Sequence, residues 1–168
     1  VFEIKQLVSG IEETERVIDE IEEKMSEYLK EIPYSRYMMS IEGIGEVTVA
    51  GLIGEVGDFT KYNTAAEIMK LAGLNLFEVS SGKHKGQRHI SKRGRPLIRK
   101  LLFYAAINVV RKGRIMHERY ERYIQRGMPR MKALIAIARK LLGILFALVR
   151  DQSEYVMNYE EISLKEAA

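Results

Sequence analysis

Apolar residues recur every seven positions at the start of the chain: Ile4, Ile11, Ile18, Met25 and Ile32, with Leu7, Ile21 and Tyr28 in the offset positions and Thr14 as the one polar member. Two interleaved sevens form an a/d seam, so residues 4–32 are predicted to be one long helix with a narrow apolar stripe. Such a stripe needs a cover. Either a second copy or a helix of the same chain supplies it, and a homodimer or higher homo-oligomer through residues 4–32 is the favoured expectation. Pro33 should stop or sharply bend this helix. The chain enters the helical pattern without an initiator Met, and it is expected to be a piece of a longer protein.

From Met38 the pattern shortens. Gly43-Ile44-Gly45 is a turn leading into an apolar helix that runs to about Val56. Thr64-Ala65-Ala66-Glu67 reads as a capping box for a short helix ending at Leu71 or Ala72, with Gly73 as its stop. Residues 74–94 lack a clear period and read as a long loop or loose hairpin, with Leu76 to Val79 the one candidate strand. Pro96 suits the first turn of a helix to about Lys112. Arg114 to Arg126 is amphipathic and closes at Gly127, and Pro129 opens a last long helix to Arg150. Its stripe Leu134, Ile137, Leu141, Ile144, Leu145 and Leu148 reads as core. The predicted fold is all-α: a coiled-coil helix (1–33), a compact helical domain (36–150) containing a helix-hairpin-helix-like element, and a polar tail (151–168).

Charge changes this picture more than composition does. The 168 residues carry a net charge of only +4, with 46% hydrophobic residues, enough for a core. Yet residues 1–60 hold 5 Lys/Arg against 14 Asp/Glu, whereas residues 61–150 hold 21 against 4. An acidic arm is joined to a strongly basic body, which reads as a polyanion binder: nucleic acid first, an anionic membrane second. No cysteine is present, which excludes disulfides, cysteine-ligated zinc and a thiol nucleophile. Three scattered histidines argue against a histidine-rich metal site. The longest uninterrupted apolar run, Leu141 to Val149, is too short to span a bilayer, and a cytoplasmic protein is expected.

Two motifs carry candidate chemistry. The Gly43-Ile44-Gly45 turn resembles a helix-hairpin-helix element. Its glycines permit close approach of a phosphate to the free N–H groups at a helix start, with Thr48 adding a hydroxyl; packing of two helices explains the same turn without a ligand. The second motif, residues 79–100, is stronger. Eight of these 22 residues are Lys or Arg and none is acidic. Lys83, Lys85, Arg88, His89, Lys92, Arg93, Arg95, Arg99 and Lys100 are the candidate nucleic-acid contacts. Ser80 and Ser81 sit at the mouth of this segment. A serine among cations suits attack on a phosphodiester, because the developing phosphorane charge needs positive neighbours and His84 or His89 can handle protons. On composition alone, serines in a glycine-rich loop need no chemical explanation. Tyr104, Tyr120 and Tyr123 raise a tyrosine nucleophile as an alternative, although tyrosines at helical spacing more often pack or bond a phosphate. Paired carboxylates for a two-metal nuclease are missing from the basic body.

Taken in order, Ile41-x-Gly-Ile-Gly, Leu71-Ala-Gly-Leu74, Ser80-Ser-Gly-Lys and Ile90-Ser-Lys-Arg-Gly-x-x-x-x-Arg99 resemble the C-terminal half of the insertion-sequence transposases related to the pilin-gene invertase. The resemblance covers roughly residues 36–150, and the coiled coil before it is similar to that family's linker. It implies a DNA recombinase whose helical part carries a serine that attacks DNA covalently, placing the nucleophile in Ser80-Ser81-Gly82 with Ser80 favoured. It also implies a structured guide RNA as partner. A separate RuvC-like domain with four acidic ligands for a divalent metal (Mg) belongs to the family pattern. That domain is absent from this sequence, which carries no metal site or cofactor of its own by this reading, so the chain alone is expected to bind DNA without recombining it. The competing readings are a non-catalytic helix-hairpin-helix DNA-binding module and a coiled-coil assembly protein whose basic loop meets an acidic partner.

Overall fold

The computed structural model describes residues 2–78 and 88–157. In chain order these form α1 (Phe2–Glu31), α2 (Ser35–Met39), α3 (Glu46–Val56), a 3-10 turn (Phe59–Lys61), α4 (Ala65–Leu71), β1 (Leu76–Glu78), β2 (Arg88–Ile90), α5 (Pro96–Val109), α6 (His117–Gln125) and α7 (Arg130–Asp151). The all-α expectation holds, and among the described residues the hairpin alternative for 74–94 is present as two short strands, with β1 inside the candidate strand Leu76 to Val79. Among the described residues no helix is long and apolar enough to cross a membrane.

Helix α7 is the spine. Ala133, Ile137, Leu141, Leu142 and Leu145 are fully buried along it, at spacings of three and four that keep one broad face turned inward. α5 packs most extensively against this face, and α2, α4 and α6 complete the layer around it. The small residues Ala105 and Ala106 of α5 and Ala138 of α7 are buried to 1% or less, and small side chains at helix contacts let the axes approach.

Helix α1 behaves differently along its length. Ile4, Leu7, Ile11, Ile18 and Ile21 are exposed, so no helix among the described residues covers the seam there. Contact with the body begins only in the last turns, through half-buried Met25 and buried Leu29. The heptad assigned Tyr28 to the seam, but Tyr28 is exposed and its neighbour Leu29 is inside, where the end of α1 packs against the body through α3. Pro33 does end the helix. The Ser35 hydroxyl lies 2.7 Å from the Leu29 carbonyl and 2.8 Å from that of Ile32, adding a donor to carbonyls that also accept the Ile32 and Ser35 N–H groups at the helix end.

Several boundaries shift for identifiable reasons. The short helix α2 follows directly on Pro33, where the proline had suggested only a break. The 3-10 turn is capped by Asp58, whose carboxylate accepts from the Thr60 N–H at 3.0 Å and its hydroxyl at 2.7 Å. Thr64 is the N-cap of α4 as predicted, but Glu67 reaches back to the Thr64 hydroxyl and the Asn63 N–H rather than forming the usual reciprocal pair. α5 stops at Val109, three residues early, and the chain turns through Gly113 at φ 83° so that Met116 is buried before α6 begins. Beyond α7 the chain does not trail away at once. Gln152 takes a left-handed conformation, and the Tyr155 N–H donates to the Ser40 hydroxyl at 2.7 Å, tying the start of the polar tail to the body.

Candidate nucleic-acid interface

The basic segment rises from a platform built by two short stretches far apart in sequence. α4 ends at Gly73, which has φ 65°, a left-handed conformation suited to glycine. Residues 91–95 pass directly across this turn. The Lys92 N–H donates to the Gly73 carbonyl at 2.9 Å, the Arg95 N–H to Leu71 at 2.8 Å, and the Ser91 N–H to Asn75 at 2.8 Å. The two strands are so close that neither glycine has room for a side chain. A Cβ on Gly73 would lie 2.9 Å from the Lys92 carbonyl carbon, and one on Gly94 would lie against the Leu71 carbonyl oxygen and 2.6 Å from the Gly73 nitrogen. The Leu71-Ala-Gly-Leu74 and Ser91-Lys-Arg-Gly94 motifs, separate in sequence, are therefore one structural unit.

The hairpin grows out of this unit. β1 and β2 pair antiparallel with Leu76 opposite Ile90, Phe77 opposite His89 and Glu78 opposite Arg88. The Phe77 and His89 rings sit side by side at 6.5 Å, and Arg88 Nε is 3.0 Å from Glu78. This Arg88 pair is exposed, so it contributes little to stability. Ser80, Ser81, Lys83 and Lys85, together with His84, lie outside the described residues.

The cations of the segment divide into two sets. Arg99 is half-buried and donates to the Ala72 carbonyl at 2.9 Å and the Gly94 carbonyl at 3.3 Å. It caps the C-terminal end of α4, where free carbonyls favour a positive charge. Arg95 donates to the Glu55 carbonyl near the end of α3 and lies 3.9 Å from the Glu55 carboxylate. Both arginines thus hold the platform together. Lys92, Arg93 and Lys100 are exposed and make no ion pair with any described residue. Lys92 has φ 55°, uncommon for a residue with a side chain, and the bond from its N–H to Gly73 holds it there. These three, with His89, form the outward-facing set.

The Gly43-Ile44-Gly45 turn joins α2 to α3, with Ile41 and Ile44 buried beneath it. Gly43 has φ 99°, and a Cβ there would lie 2.6 Å from the Arg114 guanidinium, which also pairs with Glu42 at 3.4 Å. Gly45 is the N-cap of α3 and is exposed, with Glu46 next at the first helical position and Thr48 half-buried one turn in. The turn and the basic segment are not neighbours. Glu55 meets Arg95, Gly51 meets Leu101 and Gly43 meets Arg114, so α3 and α5 run antiparallel. The two motifs lie at opposite ends of α3, whose 11 residues span about 16 Å. Two exposed carboxylates, Glu42 and Glu46, flank the turn, and Glu42 is already paired with Arg114. The tyrosines also separate: Tyr120 and Tyr123 pack against the core, whereas Tyr104 on α5 is exposed.

Sequence reasoning found the charge but missed the platform. Gly73 was legible as a helix stop. Nothing in the sequence stated that Gly94 closes over it, although two glycines twenty-one residues apart, each beside a basic or helical boundary, were the available signal.

Comparison with known proteins gives a consistent result. The family model described as Transposase IS116/IS110/IS902 family matches residues 35–121. The chain is similar to the insertion element IS110 uncharacterized 43.6 kDa protein of Streptomyces coelicolor, 30% identical over 135 residues that make up 80% of this chain and 33% of the relative. It is similar to the transposase for insertion sequence element IS1111A of Coxiella burnetii, 27% identical over 84% of this chain and 40% of the relative. It is also similar to the pilin gene-inverting protein of Moraxella bovis, 31% identical over 70% of this chain and 37% of the relative. The chain thus spans between a third and two fifths of the length of these three curated relatives.

Proposed function

Because the chain belongs to the transposase family of IS116, IS110 and IS902, we propose that it is the helical DNA-binding part of a transposase, taking part in DNA transposition or recombination. The observation that carries this reading is the basic face raised on the Gly73–Gly94 platform, where the two nearby carboxylates, Glu78 and Glu55, are already paired with Arg88 and Arg95. Lys92, Arg93 and Lys100 face outward, and Arg95 and Arg99 lock the backbone beneath them. A fixed base carrying cations that have no ion pair among the described residues suits a phosphate backbone, since little ordering entropy is lost when the strand docks.

In the complete enzyme, Ser80 or Ser81 is the nucleophile by this proposal. Its Oγ bonds to phosphorus, and the phosphorus–oxygen bond to the leaving deoxyribose breaks. The serine proton passes to a base, and the leaving oxygen gains one. The cations of the same segment stabilise the extra negative charge on the phosphorane. The divalent metal that the resemblance implies finds no fit in the part described: no group of three or more His, Cys, Asp or Glu stands together among the described residues, so no step here runs through a metal. A structured guide RNA and a homo-oligomer built through α1 belong to the same proposal. The exposed Ile4–Leu7–Ile11–Ile18–Ile21 stripe supports the oligomer.

The test is nucleic-acid affinity of this chain against salt concentration. Each phosphate contact on duplex DNA contributes about −0.9 to the slope of log K against log salt. Three outward cations therefore predict a slope of at least about −3, and Lys92→Ala or Arg93→Ala should each reduce it by about one. An affinity that is flat in salt would favour the coiled-coil assembly reading instead.

A further inference from the structure

Between Glu78 and Glu118 the sequence holds no acidic residue and 11 Lys/Arg. α5 runs through the middle of this stretch. Its inner face is fixed by Ile98, Leu102, Ala105, Ala106 and Val109, all buried. The outer face carries Leu97, Lys100 and Tyr104, spaced three and four residues apart and therefore in line on one side of the helix. Tyr104 is 55% exposed. The neighbouring Phe103 ring lies edge-to-face with it, centroids 6.0 Å apart. An aromatic on a helix surface, beside a lysine that has no ion pair among the described residues and with no carboxylate on its element, has the two parts of a single-strand contact: a π-face for a base and a cation for its phosphate.

We infer that Tyr104 stacks an unpaired base of single-stranded DNA, with Lys100 on the adjacent phosphate. The inference rests on the DNA-binding reading above and extends it from the backbone to the bases. It requires an unstacked strand, since bases in a duplex already cover each other's faces. It also assigns Tyr104 a role without nucleophilic chemistry, so its hydroxyl is dispensable.

The experiment compares this chain with its Tyr104→Ala, Tyr104→Phe and Lys100→Ala variants. The probes are a short fluorescein-labelled oligothymidylate, a duplex of equal length and an oligouridylate, each titrated over a range of salt. Tyr104→Ala is expected to weaken oligothymidylate binding about tenfold, to leave duplex binding within about twofold, and to keep the salt slope unchanged. Tyr104→Phe should bind as the parent does. Lys100→Ala should reduce the single-strand slope by about 0.7. The inference is overturned if Tyr104→Ala binds oligothymidylate normally, if it weakens duplex and single strand alike, if Tyr104→Phe is as weak as Tyr104→Ala, or if only oligouridylate binding responds. In those cases salt-dependent DNA affinity survives and the broader reading stands. Loss of all salt-dependent DNA affinity in the parent chain would overturn both.

Discussion

Gly94→Ala is expected to lower the melting temperature by roughly 10 °C, and to remove most DNA affinity even where the variant stays folded. The new Cβ would meet backbone atoms only: the Leu71 carbonyl oxygen, the Gly73 nitrogen and the Ala72 carbonyl carbon. Backbone cannot rotate aside as a side chain can. Gly94 also has φ 155°, which residues with a Cβ rarely adopt. Backbone strain of about 1–3 kcal/mol combines with overpacking of about 1–3 kcal/mol. For a chain of 168 residues, about 4 kcal/mol corresponds to the stated fall at roughly 2–4 °C per kcal/mol. Relief can come only by separating residues 91–95 from the end of α4. That breaks the bonds from Lys92 to Gly73 and from Arg95 to Leu71 and displaces Lys92 and Arg93. Gly54→Ala is the internal comparison. A Cβ there meets nothing within 4 Å, and an alanine inside α3 should stabilise by about 0.5–1 kcal/mol. Thermal unfolding followed by circular dichroism checks both variants. Equal melting temperatures for Gly94→Ala and the parent would show that the platform does not depend on this close approach.

The second large effect concerns the paired serines. If Ser80 is the nucleophile proposed above, Ser80→Ala in the full-length protein is expected to reduce DNA strand exchange by at least about a thousandfold, because removing a nucleophile removes the covalent route rather than weakening it. DNA affinity should stay within about twofold, since one hydroxyl adds little to a backbone contact set dominated by cations. Ser81→Ala should be the milder change. A denaturant-resistant protein–DNA adduct, trapped with a nicked or phosphorothiolate substrate, should disappear in the same variant that loses exchange. If both alanine variants recombine DNA normally, the non-catalytic DNA-binding module becomes the better account. If Ser81→Ala is the silent enzyme and Ser80→Ala is active, the assignment moves by one residue and the mechanism stands.

Much of the helical frame was legible because its signals are local. Pro96 at the first helical position, Gly127 before Pro129, and the Thr64 cap each mark a boundary through the conformation of one or two residues. The exposed seam of α1 was legible for the same reason. Its last turns were not, because the choice between Tyr28 and Leu29 as the inward residue depends on where α3 lies. The acceptors of Arg95 and Arg99 were invisible for a different reason. They are backbone carbonyls at the ends of α3 and α4, and a carbonyl is the same in every residue. A count of cations therefore overstated the contacts available to a ligand. The glycine turn and the basic segment are both candidate phosphate contacts in sequence. The antiparallel course of α3 and α5 places them at opposite ends of a helix.

The anchoring of the hairpin has a consequence for how the family can vary. Both strands leave a base whose geometry is fixed by two glycines and three backbone bonds, so the spacing of the exits is set below them and not by the chain that joins them. Lengthening or shortening the connection between Glu78 and Arg88 would change its closure entropy by only about 0.6 kcal/mol per doubling and would leave the base undisturbed. Inheritance can then treat the two parts separately. The base tolerates almost no change, while the length of the connection can alter around the serines it carries at little energetic cost.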